Sequence, residues 1–471
     1  MKRREFIRNV GATAAGIAIA PGLLASESRD VFNPDTDVPG DLNELDLNVR
    51  DLHADIRKPI TAVVLGVGNR GTVYGNYAAK FPDTIKFVGL SDINKVRSDI
   101  FSRKHGIPAE RCYGDFHEIL AVPKFADAMV ISLPDGLHYE AAMKALELGY
   151  DVLLEKPMAQ SEKECKAILA QSRKYGRIVG VCHVLRYAPY FVALKAMLDR
   201  KVIGDVVSIQ HMEPIRFAHM AHSYVRGNWH DSKATTPIIL AKSCHDLDII
   251  RWMLGKPCRS ISAEGGLYLF KKENAPEGAP LRCTDGCPHE PTCPYSAIDI
   301  YARKKQHTKV FDNLDVNDFN DVIEHLKNSD YGRCVYHCDN DQPDHYICNM
   351  VFEDGVTAAF SMEAFTPVGG RRTRIMGTKG FIDGDMTQFT ITDFRTMKRQ
   401  VWNRKVAEIP EYKGAGHGGG DYALMRDFVE AVSWQDPSRM SSTIEASVES
   451  HVMGFRAEKS RLKGKKEKVS L

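Results

Sequence analysis

The residues with the clearest chemical potential form a glycine loop, Gly66–Gly71 of sequence GVGNRG, which follows the apolar run Ile60–Leu65 and opens a helix. The first glycine permits a tight turn, and the second, Gly68, lets the backbone approach a pyrophosphate. The third allows close packing of helix on strand and leaves phosphates at the positive helix N-terminus. The pattern predicts a dinucleotide-binding loop; an ordinary glycine turn is the alternative.

An acidic residue completes this pattern. Asp92 ends the next apolar run, 21 residues after Gly71. A carboxylate there can accept a hydrogen bond from a ribose 2′-hydroxyl and would repel a 2′-phosphate. The sequence therefore favours NAD, whereas the nearby Arg97 keeps NADP open.

A second candidate group is Glu155-Lys156-Pro157, which terminates the apolar run Asp151–Leu154. Ligands of doubly wound sheets bind at the carboxyl ends of the strands, so Lys156 is expected to point toward the nicotinamide. By itself the tripeptide is equally compatible with a charge pair at a strand end.

Cysteines form the third group. Cys283, Cys287 and Cys293 are clustered in a proline-rich loop, and Cys334 and Cys338 follow later. Three thiols with either later cysteine as the fourth, for which we choose Cys338, predict a closed tetrahedral zinc site. A disulfide is the alternative in an oxidising compartment. It is also possible that neither forms, since the spacing matches no standard zinc finger.

The elements that position these residues change character along the chain. Short apolar runs that alternate with helical stretches predict a doubly wound parallel sheet. The runs are Ile60–Leu65, Lys86–Leu90, Ala128–Leu133, Asp151–Leu154 and Ile178–Cys182, with helices including Tyr139–Leu148 and Glu162–Lys174. Beyond about residue 183 the runs resemble antiparallel strands, with hairpin turns at Asp354-Gly355 and Lys379-Gly380. These runs are Val206–Met212, Tyr346–Phe352, Val356–Met362, Thr373–Met376 and Phe389–Asp393.

The fold class expected is therefore α/β, with an N-terminal Rossmann doubly wound parallel sheet and a C-terminal α/β domain that has a largely antiparallel open sheet. A chain of 471 residues is long enough for two domains. We predict a signal peptide at 1–25, a linker at 26–57, the Rossmann domain at 58–182, the substrate-binding α/β domain at 183–455 and a basic tail at 456–471.

The first residues indicate export. Arg3-Arg4-Glu5-Phe6-Ile7 is a twin-arginine pattern, followed by a mildly apolar run from Val10 to Leu24 that is too short to span a membrane. A basic, disordered N-terminus is the alternative. We expect a periplasmic or exported protein, with no later membrane span. The net charge of +2, without a long basic stretch in the body of the chain, argues against nucleic acid as a partner.

Taken together, the motifs resemble the glucose–fructose oxidoreductase / inositol dehydrogenase / rhizopine-catabolism (Gfo/Idh/MocA) family over roughly residues 58–455. The resemblance rests on Gly66–Gly71, Asp92, Pro134–His138, Glu155–Pro157, Arg186–Pro189 and His245–Asp248. It implies oxidation or reduction of sugars and polyols, and a homo-oligomer through the C-terminal sheet. The residues that it places on or near the cofactor are Gly66, Gly68, Asn69, Arg70, Gly71, Asp92, Asp135, His138, Glu155, Lys156, His183 and Arg186.

The resemblance also places substrate between Lys156 and the helix of His245. A histidine with a reference pKa of about 6.5 can take a hydroxyl proton as hydride leaves, and an ammonium can polarise the oxygen. We therefore assign His245 as acid/base and Lys156 as polariser; a core histidine is the alternative. Many relatives have Asp four residues before this histidine, where this chain has Ala241. Either Lys242 supplies the polar partner instead, or the proton relay differs from that of inositol dehydrogenases.

Other residues near that helix have predicted roles. Ser243 is expected to cap the helix in a capping box with Asp246, while Gly255 and Pro257 end it. The candidate substrate residues are Tyr224, Asn228, Trp229, Asp248 and His417. Trp229 and its polar neighbours suit sugar stacking or, equally, domain packing.

The predicted function is an exported oxidoreductase that transfers hydride between bound NAD(P) and a ring or chain hydroxyl of a sugar or polyol. The alternative is a glycosidase or epimerase, acting on a sugar or glycoside, that uses tightly bound NAD in an oxidation–elimination or inversion–reduction cycle.

Overall fold

The structure, a computed structural model, describes residues 54–312, 314–407, 410–412 and 414–470. The predicted signal peptide and nearly all of the predicted linker lie outside these described residues. No helix in the described ranges is long and apolar enough to cross a membrane.

The first domain is built on a six-stranded parallel sheet of order β3-β2-β1-β4-β5-β6. Its strands are β1 (Ile60–Leu65), β2 (Ile85–Ser91), β3 (Cys112–Tyr113), β4 (Ala128–Ile131), β5 (Asp151–Leu154) and β6 (Val179–Val181). The strand order reverses between β1 and β4, and ligands of such sheets bind in the crevice at that point. The predicted Rossmann sheet is confirmed.

Helices cover both faces of this sheet. They are α1 (Asn69–Lys80), α2 (Lys95–His105), α3 (Phe116–Leu120), α4 (His138–Glu147) and α5 (Glu162–Tyr175). Local sequence sets their ends. The Asn94 side chain caps α2 by accepting from two backbone N–H groups, and Ser161 caps α5. Gly106 and Gly176 then end these helices in the left-handed conformation.

The second domain contains a nine-stranded sheet of order β14-β13-β12-β11-β7-β10-β9-β8-β15. Its strands are β7 (Val206–Pro214), β8 (Cys258–Gly266), β9 (His345–Phe352), β10 (Thr357–Glu363), β11 (Arg372–Gly377), β12 (Gly380–Gly384), β13 (Gln388–Asp393), β14 (Arg399–Asn403) and β15 (Glu467–Lys468). The largely antiparallel sheet is confirmed, with one exception. β7 pairs with β10 in parallel, because β10 returns beside it after the hairpin with β9.

Buried side chains on one face of this sheet form the second core with helices. The helices after β6 are α6 (Pro189–Asp199), α7 (Phe217–Met220), α8 (Ile238–Ala241), α9 (Cys244–Leu254), α10 (Phe319–Asn328), α11 (Gly420–Trp434) and α12 (Ile444–Lys463). Side chains on the other face, such as Ile347 and Val207, are exposed. The predicted homo-oligomer through this sheet stays a prediction.

The last two long helices return to the first domain. Leu424 and Phe428 of α11 pack into the core of the parallel sheet. In α12, Val448 and Val452 pack in the first domain, while Ala457 packs in the core of the second. The C-terminal helices therefore hold the two domains together.

Residues 456–470, which the sequence analysis assigned to a basic tail, continue the second domain. Helix α12 continues to Lys463, and β15 pairs with β8 at the edge of the second sheet. The Arg461 guanidinium donates to the Glu458 carboxylate and to the Gly265 carbonyl oxygen. Arg456, Lys459 and Arg461 are thus ion-paired within the fold. The lysines that follow are exposed, namely Lys463, Lys465, Lys466 and Lys468.

Candidate dinucleotide site and active site

Backbone atoms pack closely against two glycines of the loop between β1 and α1, Gly66 and Gly71. Gly66 has φ +82°, and a Cβ there would lie 2.7 Å from the Ser132 carbonyl oxygen. A Cβ at Gly71 would lie 2.1 Å from the Gly66 carbonyl oxygen. Gly68 directly precedes α1, whose first residue, Asn69, is exposed. The loop fits a pyrophosphate at a helix N-terminus, as predicted from the spacing.

Asp92 lies next to this loop. Its carboxylate accepts the backbone N–H groups of Val67 and Asn94, each at 2.7 Å. Arg97, the residue that left NADP as an alternative cofactor, is paired with a carboxylate. Its guanidinium donates to Asp312 through Nε at 3.0 Å and Nη2 at 2.6 Å. The Arg97 charge is thus neutralised by a carboxylate from the second domain.

Arg70 bridges two carboxylates beside the loop. Its Nε lies 2.5 Å from Glu155 Oε1, and its Nη2 lies 2.9 Å from Asp421 Oδ1. Asp421 also contacts His417 Nδ1 at 3.2 Å. Burial would raise the pKa of Asp421, but the hydrogen bond from His417 and the charge of Arg70 outweigh it and hold that pKa well below its usual value. The sequence analysis did not single out Asp421.

Two residues after β4 have contrasting partners. Asp135 accepts the indole N–H of Trp229 at 3.1 Å and the hydroxyl of Thr236 at 3.0 Å. His138 instead contacts the carbonyl oxygens of Leu133 and Pro157 through its two ring nitrogens. Asp135 therefore ties Trp229 to the first domain, and His138 fixes the local backbone.

Lys156 and Lys242 have different partners at the C-terminal end of α8. Lys156 Nζ donates to the Ala241 carbonyl oxygen at 2.7 Å. Lys242 Nζ lies 2.8 Å from Glu213 Oε1. At Ala241, where the family resemblance implied an Asp side chain, this chain therefore offers Lys156 a backbone carbonyl oxygen. Lys242 is paired with a carboxylate on β7.

His245 is buried in the first turn of α9, and its Nδ1 has no hydrogen-bond partner within the described part of the chain. Its ring centroid lies 5.9 Å from that of His183 and 6.2 Å from that of His417. Burial lowers the pKa of His245 well below its usual value, and the charge of Lys156 lowers it further. His245 is therefore neutral near pH 7 and able to accept a proton.

A buried ion pair lies behind this histidine. Asp248 accepts from Arg186 Nε at 2.6 Å and from Nη2 at 2.7 Å, and both side chains are buried. His183 Nε2 lies 3.9 Å from Asp248. The predicted substrate residue Asp248 and the predicted cofactor residue Arg186 thus neutralise each other.

The predicted capping box at Ser243 is wrong. Ser243 is at the N-cap of α9, but its hydroxyl donates to Glu213 Oε2 at 2.7 Å and makes no cap bond. Asp246 accepts from His211 and Arg371 instead. Polar and charged side chains that are distant in the sequence bind both Ser243 and Asp246. This network therefore holds α9 in place.

Sequence reasoning missed Arg371, His211, Glu213 and His219. Arg371 is buried and joins Asp246 to Glu213. Burial lowers the pKa of His219 well below its usual value, with a further contribution from Lys242. None of these lies in a motif; the adjacent glycines before Arg371 were the nearest signal.

The remaining substrate candidates have different environments. Tyr224 is buried, and its ring centroid lies 6.3 Å from that of Trp229. His417 is close to His245, as above. Asn228 is exposed. Tyr224, Trp229 and His417 are therefore better placed than Asn228 to face a ligand beside His245.

The cysteine loop does not support zinc. Of the predicted set, Cys283, Cys287 and Cys293 line one cavity together with Cys334, whereas Cys338 is not among its lining residues and donates to the Cys334 carbonyl oxygen. Within the described residues, no three of these sulfurs lie within 4.8 Å of one another. With Zn–S bonds of about 2.3 Å, a zinc ion would bring them to roughly 3.8 Å. The eleven cysteines are free thiols, so the alternative disulfide is not formed either.

Comparison with known proteins assigns the family. Residues 60–183 match the "Oxidoreductase family, NAD-binding Rossmann fold", and residues 195–471 match the "Oxidoreductase family, C-terminal alpha/beta domain". YteT of Bacillus subtilis (strain 168), a proposed oxidoreductase, is 24% identical over 368 residues, 74% of this chain and 83% of that protein.

Inositol dehydrogenases are among the similar proteins. The scyllo-inositol 2-dehydrogenase (NAD(+)) of Bacillus subtilis (strain 168) is 28% identical over 206 residues, which is 44% of this chain and 57% of that enzyme. The scyllo-inositol dehydrogenase from Lactobacillus casei, solved with NAD(H) and scyllo-inositol, has a TM-score of 0.59 at 16% identity and covers 88% of this chain and 99% of its own.

Both family models together span most of the chain, and the glycine loop, Asp92 and both sheets lie within them. This chain therefore belongs to the Gfo/Idh/MocA oxidoreductase family, with an NAD-binding Rossmann domain and a C-terminal α/β domain.

Proposed function

We propose that this chain is an NAD-dependent dehydrogenase of a ring or chain hydroxyl in a sugar or polyol. The observation that carries the proposal is the buried His245, whose pKa is lowered by burial and by the Lys156 charge and whose Nδ1 has no hydrogen-bond partner among the described residues. The inositol dehydrogenases among the relatives support a polyol substrate.

The residues of the glycine loop and Asp92 would hold NAD, whose chemistry when bound is to accept a hydride. His245 would accept the proton of the substrate hydroxyl, since burial keeps its imidazole uncharged. Lys156, held by the Ala241 carbonyl, would donate to the same oxygen and stabilise developing negative charge. Tyr224 and Trp229 offer apolar ring faces for a sugar carbon skeleton.

The alternative, a glycosidase or epimerase that recycles its cofactor, is not favoured. Several relatives are named as inositol dehydrogenases, and dehydrogenation needs no side chain beyond those described. A panel of glycosides in the assay below would reveal such an activity.

We also propose export by the twin-arginine route, which rests on Arg3-Arg4-Glu5-Phe6-Ile7 and the apolar run that follows. The full chain is expected in the periplasm, and a variant with Arg3→Lys and Arg4→Lys is expected to stay in the cytoplasm. Cell fractionation measures both. A wild-type chain found wholly in the cytoplasm would contradict the proposal.

The central prediction concerns Lys156. With NAD and a panel of inositols, sugars and sugar alcohols, the wild type should reduce NAD with at least one polyol. Lys156→Ala should lower kcat roughly 10²–10⁴-fold, because polarisation of the substrate oxygen is lost. The exposed Lys233→Ala is the matched control and should keep wild-type rates. If the wild type turned over none of these hydroxyl compounds, the assignment as a sugar or polyol dehydrogenase would be contradicted.

A second prediction concerns pH. A general base works only when unprotonated, so activity falls as the pH drops through its pKa. Because the pKa of His245 is lowered, the acid limb of kcat/KM should have its midpoint below about pH 6.5. His245→Gln should remove that limb from the residual activity. A midpoint above the ordinary histidine value would contradict the role.

A third prediction concerns cofactor choice. Asp312→Ala should free Arg97 and improve NADP binding roughly tenfold relative to NAD, since a hydrogen bond to a charged group contributes about 1.5–3 kcal/mol. Calorimetric titration of both dinucleotides measures the ratio. Asp315→Ala, in the same loop, is the control, because its carboxylate accepts the backbone N–H of Asn317. An unchanged ratio in Asp312→Ala would show that Arg97 does not face the ribose.

A further inference from the structure

Three buried side chains that can bind a transition metal meet where the two domains join. His183 follows β6 of the first domain, and Cys244 and His245 are the first two residues of α9 in the second. One ligand atom of each residue, a ring nitrogen or the sulfur, lies within 4.8 Å of the other two. The fold therefore brings together two imidazoles and a thiol that are about 60 residues apart in the sequence.

The imidazoles of this group lack the partners that buried polar atoms normally have. Both ring nitrogens of His183 and Nδ1 of His245 are buried and make no hydrogen bond within the described part of the chain. A buried polar atom without a partner costs free energy, and such atoms are rare in folded proteins unless they bind something or react. The lone pairs of two imidazoles and a sulfur are groups that a metal ion binds.

The donor set selects the class of metal. Imidazole and thiolate bind Zn²⁺ and related transition metals, whereas Mg²⁺ and Ca²⁺ prefer oxygen ligands. With Zn–N bonds of about 2.0–2.1 Å and a Zn–S bond of about 2.3 Å, tetrahedral ligand atoms lie roughly 3.3–3.6 Å apart. The three side chains would thus close on the ion by small movements. Three protein ligands leave the fourth position of the metal open.

The neighbouring charges suit a metal ion that binds reversibly. Asp248 lies 3.9 Å from His183 Nε2, and a carboxylate beside a metal-binding histidine commonly orients its ring. Lys156 acts in the opposite direction. Its charge lowers the pKa of His245, so it also opposes a cation bound to that ring. We therefore expect an ion that enters and leaves the site, rather than a permanent structural one.

We propose that His183, Cys244 and His245 form a binding site for Zn²⁺ that inhibits the enzyme. The bound ion would occupy the lone pair of His245, which could then no longer accept the proton of the substrate hydroxyl. It would also link the two domains, because His183 and α9 belong to different ones. The inhibition rests on the proposed dehydrogenase function, whereas the metal binding does not.

The first test is metal binding by the full chain, treated with EDTA and then dialysed. With Co²⁺ as the probe, we expect the visible bands of a tetrahedral site and a thiolate-to-cobalt charge-transfer band, both lost when Zn²⁺ displaces the Co²⁺. Cys244→Ala should weaken the charge-transfer band and bind about one Zn²⁺ fewer per chain than the wild type. Cys287→Ala is the matched control and should keep the wild-type content. If Cys244→Ala fails to fold, His245→Gln replaces it, since it removes a nitrogen ligand.

The second test is the effect of Zn²⁺ on the oxidation of a polyol by NAD. Saturating Zn²⁺ should lower turnover by the wild type and by Cys287→Ala roughly 10²–10⁴-fold, as loss of the proton acceptor does. EDTA should restore the rate, and Mg²⁺ should have no effect. Without added metal, Cys244→Ala should turn over at the wild-type rate, and it should resist Zn²⁺.

Two results would overturn the proposal. One is equal zinc content and equal inhibition in the wild type and in Cys244→Ala. The other is faster turnover with Zn²⁺, which would make the ion a catalytic cofactor instead of an inhibitor. If the wild type oxidises no polyol, the dehydrogenase assignment fails, but the cobalt and zinc measurements still decide whether the metal site exists.

Discussion

The hydrogen bond from the Lys156 ammonium to the Ala241 carbonyl oxygen joins the two halves of the candidate active site. Lys156 follows the β5 strand of the parallel sheet, and Ala241 precedes the helix of His245. Because the bond uses backbone of the second domain, the lysine is positioned only when the domains are packed. The same ammonium helps to keep His245 neutral. This contact thus positions Lys156, whose charge adds to the effect of burial on the pKa of His245.

The helix of His245 is anchored by charge as well as by apolar packing. Glu213, Asp246 and Arg371 are buried together, and Lys242 and Ser243 attach to the same glutamate. Removing charges from water costs free energy that a hydrophobic cluster would not incur. The network nevertheless fixes α9 through directional bonds, and so holds His245 in place.

The sequence was informative where chemistry depends on local spacing. The glycine loop and Asp92 are set by residues within one βαβ unit. The apolar runs located ten of the strands to within a few residues, but no run was predicted for β3, β8, β12, β14 or β15. Partners distant in the sequence, here 30 and 62 residues apart, were not predictable. Ser243 satisfied the local pattern of a capping box, yet Glu213 on β7 takes its hydroxyl. Arg186 and Asp248 carried separate predictions, and the fold pairs them. Likewise, Cys334 rather than Cys338 lines the cavity of Cys283, Cys287 and Cys293, because the Arg282–Arg333 backbone bridge places Cys334 beside them.

Helix α12 and strand β15 have a consequence for how the chain matures. Val448 and Val452 complete the core of the first domain, Ala457 packs in that of the second, and Glu467-Lys468 covers the edge strand β8. During synthesis, neither core is finished and the edge of β8 stays unpaired until residues 444–468 have been made. An exposed edge invites association with other chains. A truncation of the final thirty or so residues would therefore leave two incomplete domains rather than one shortened protein.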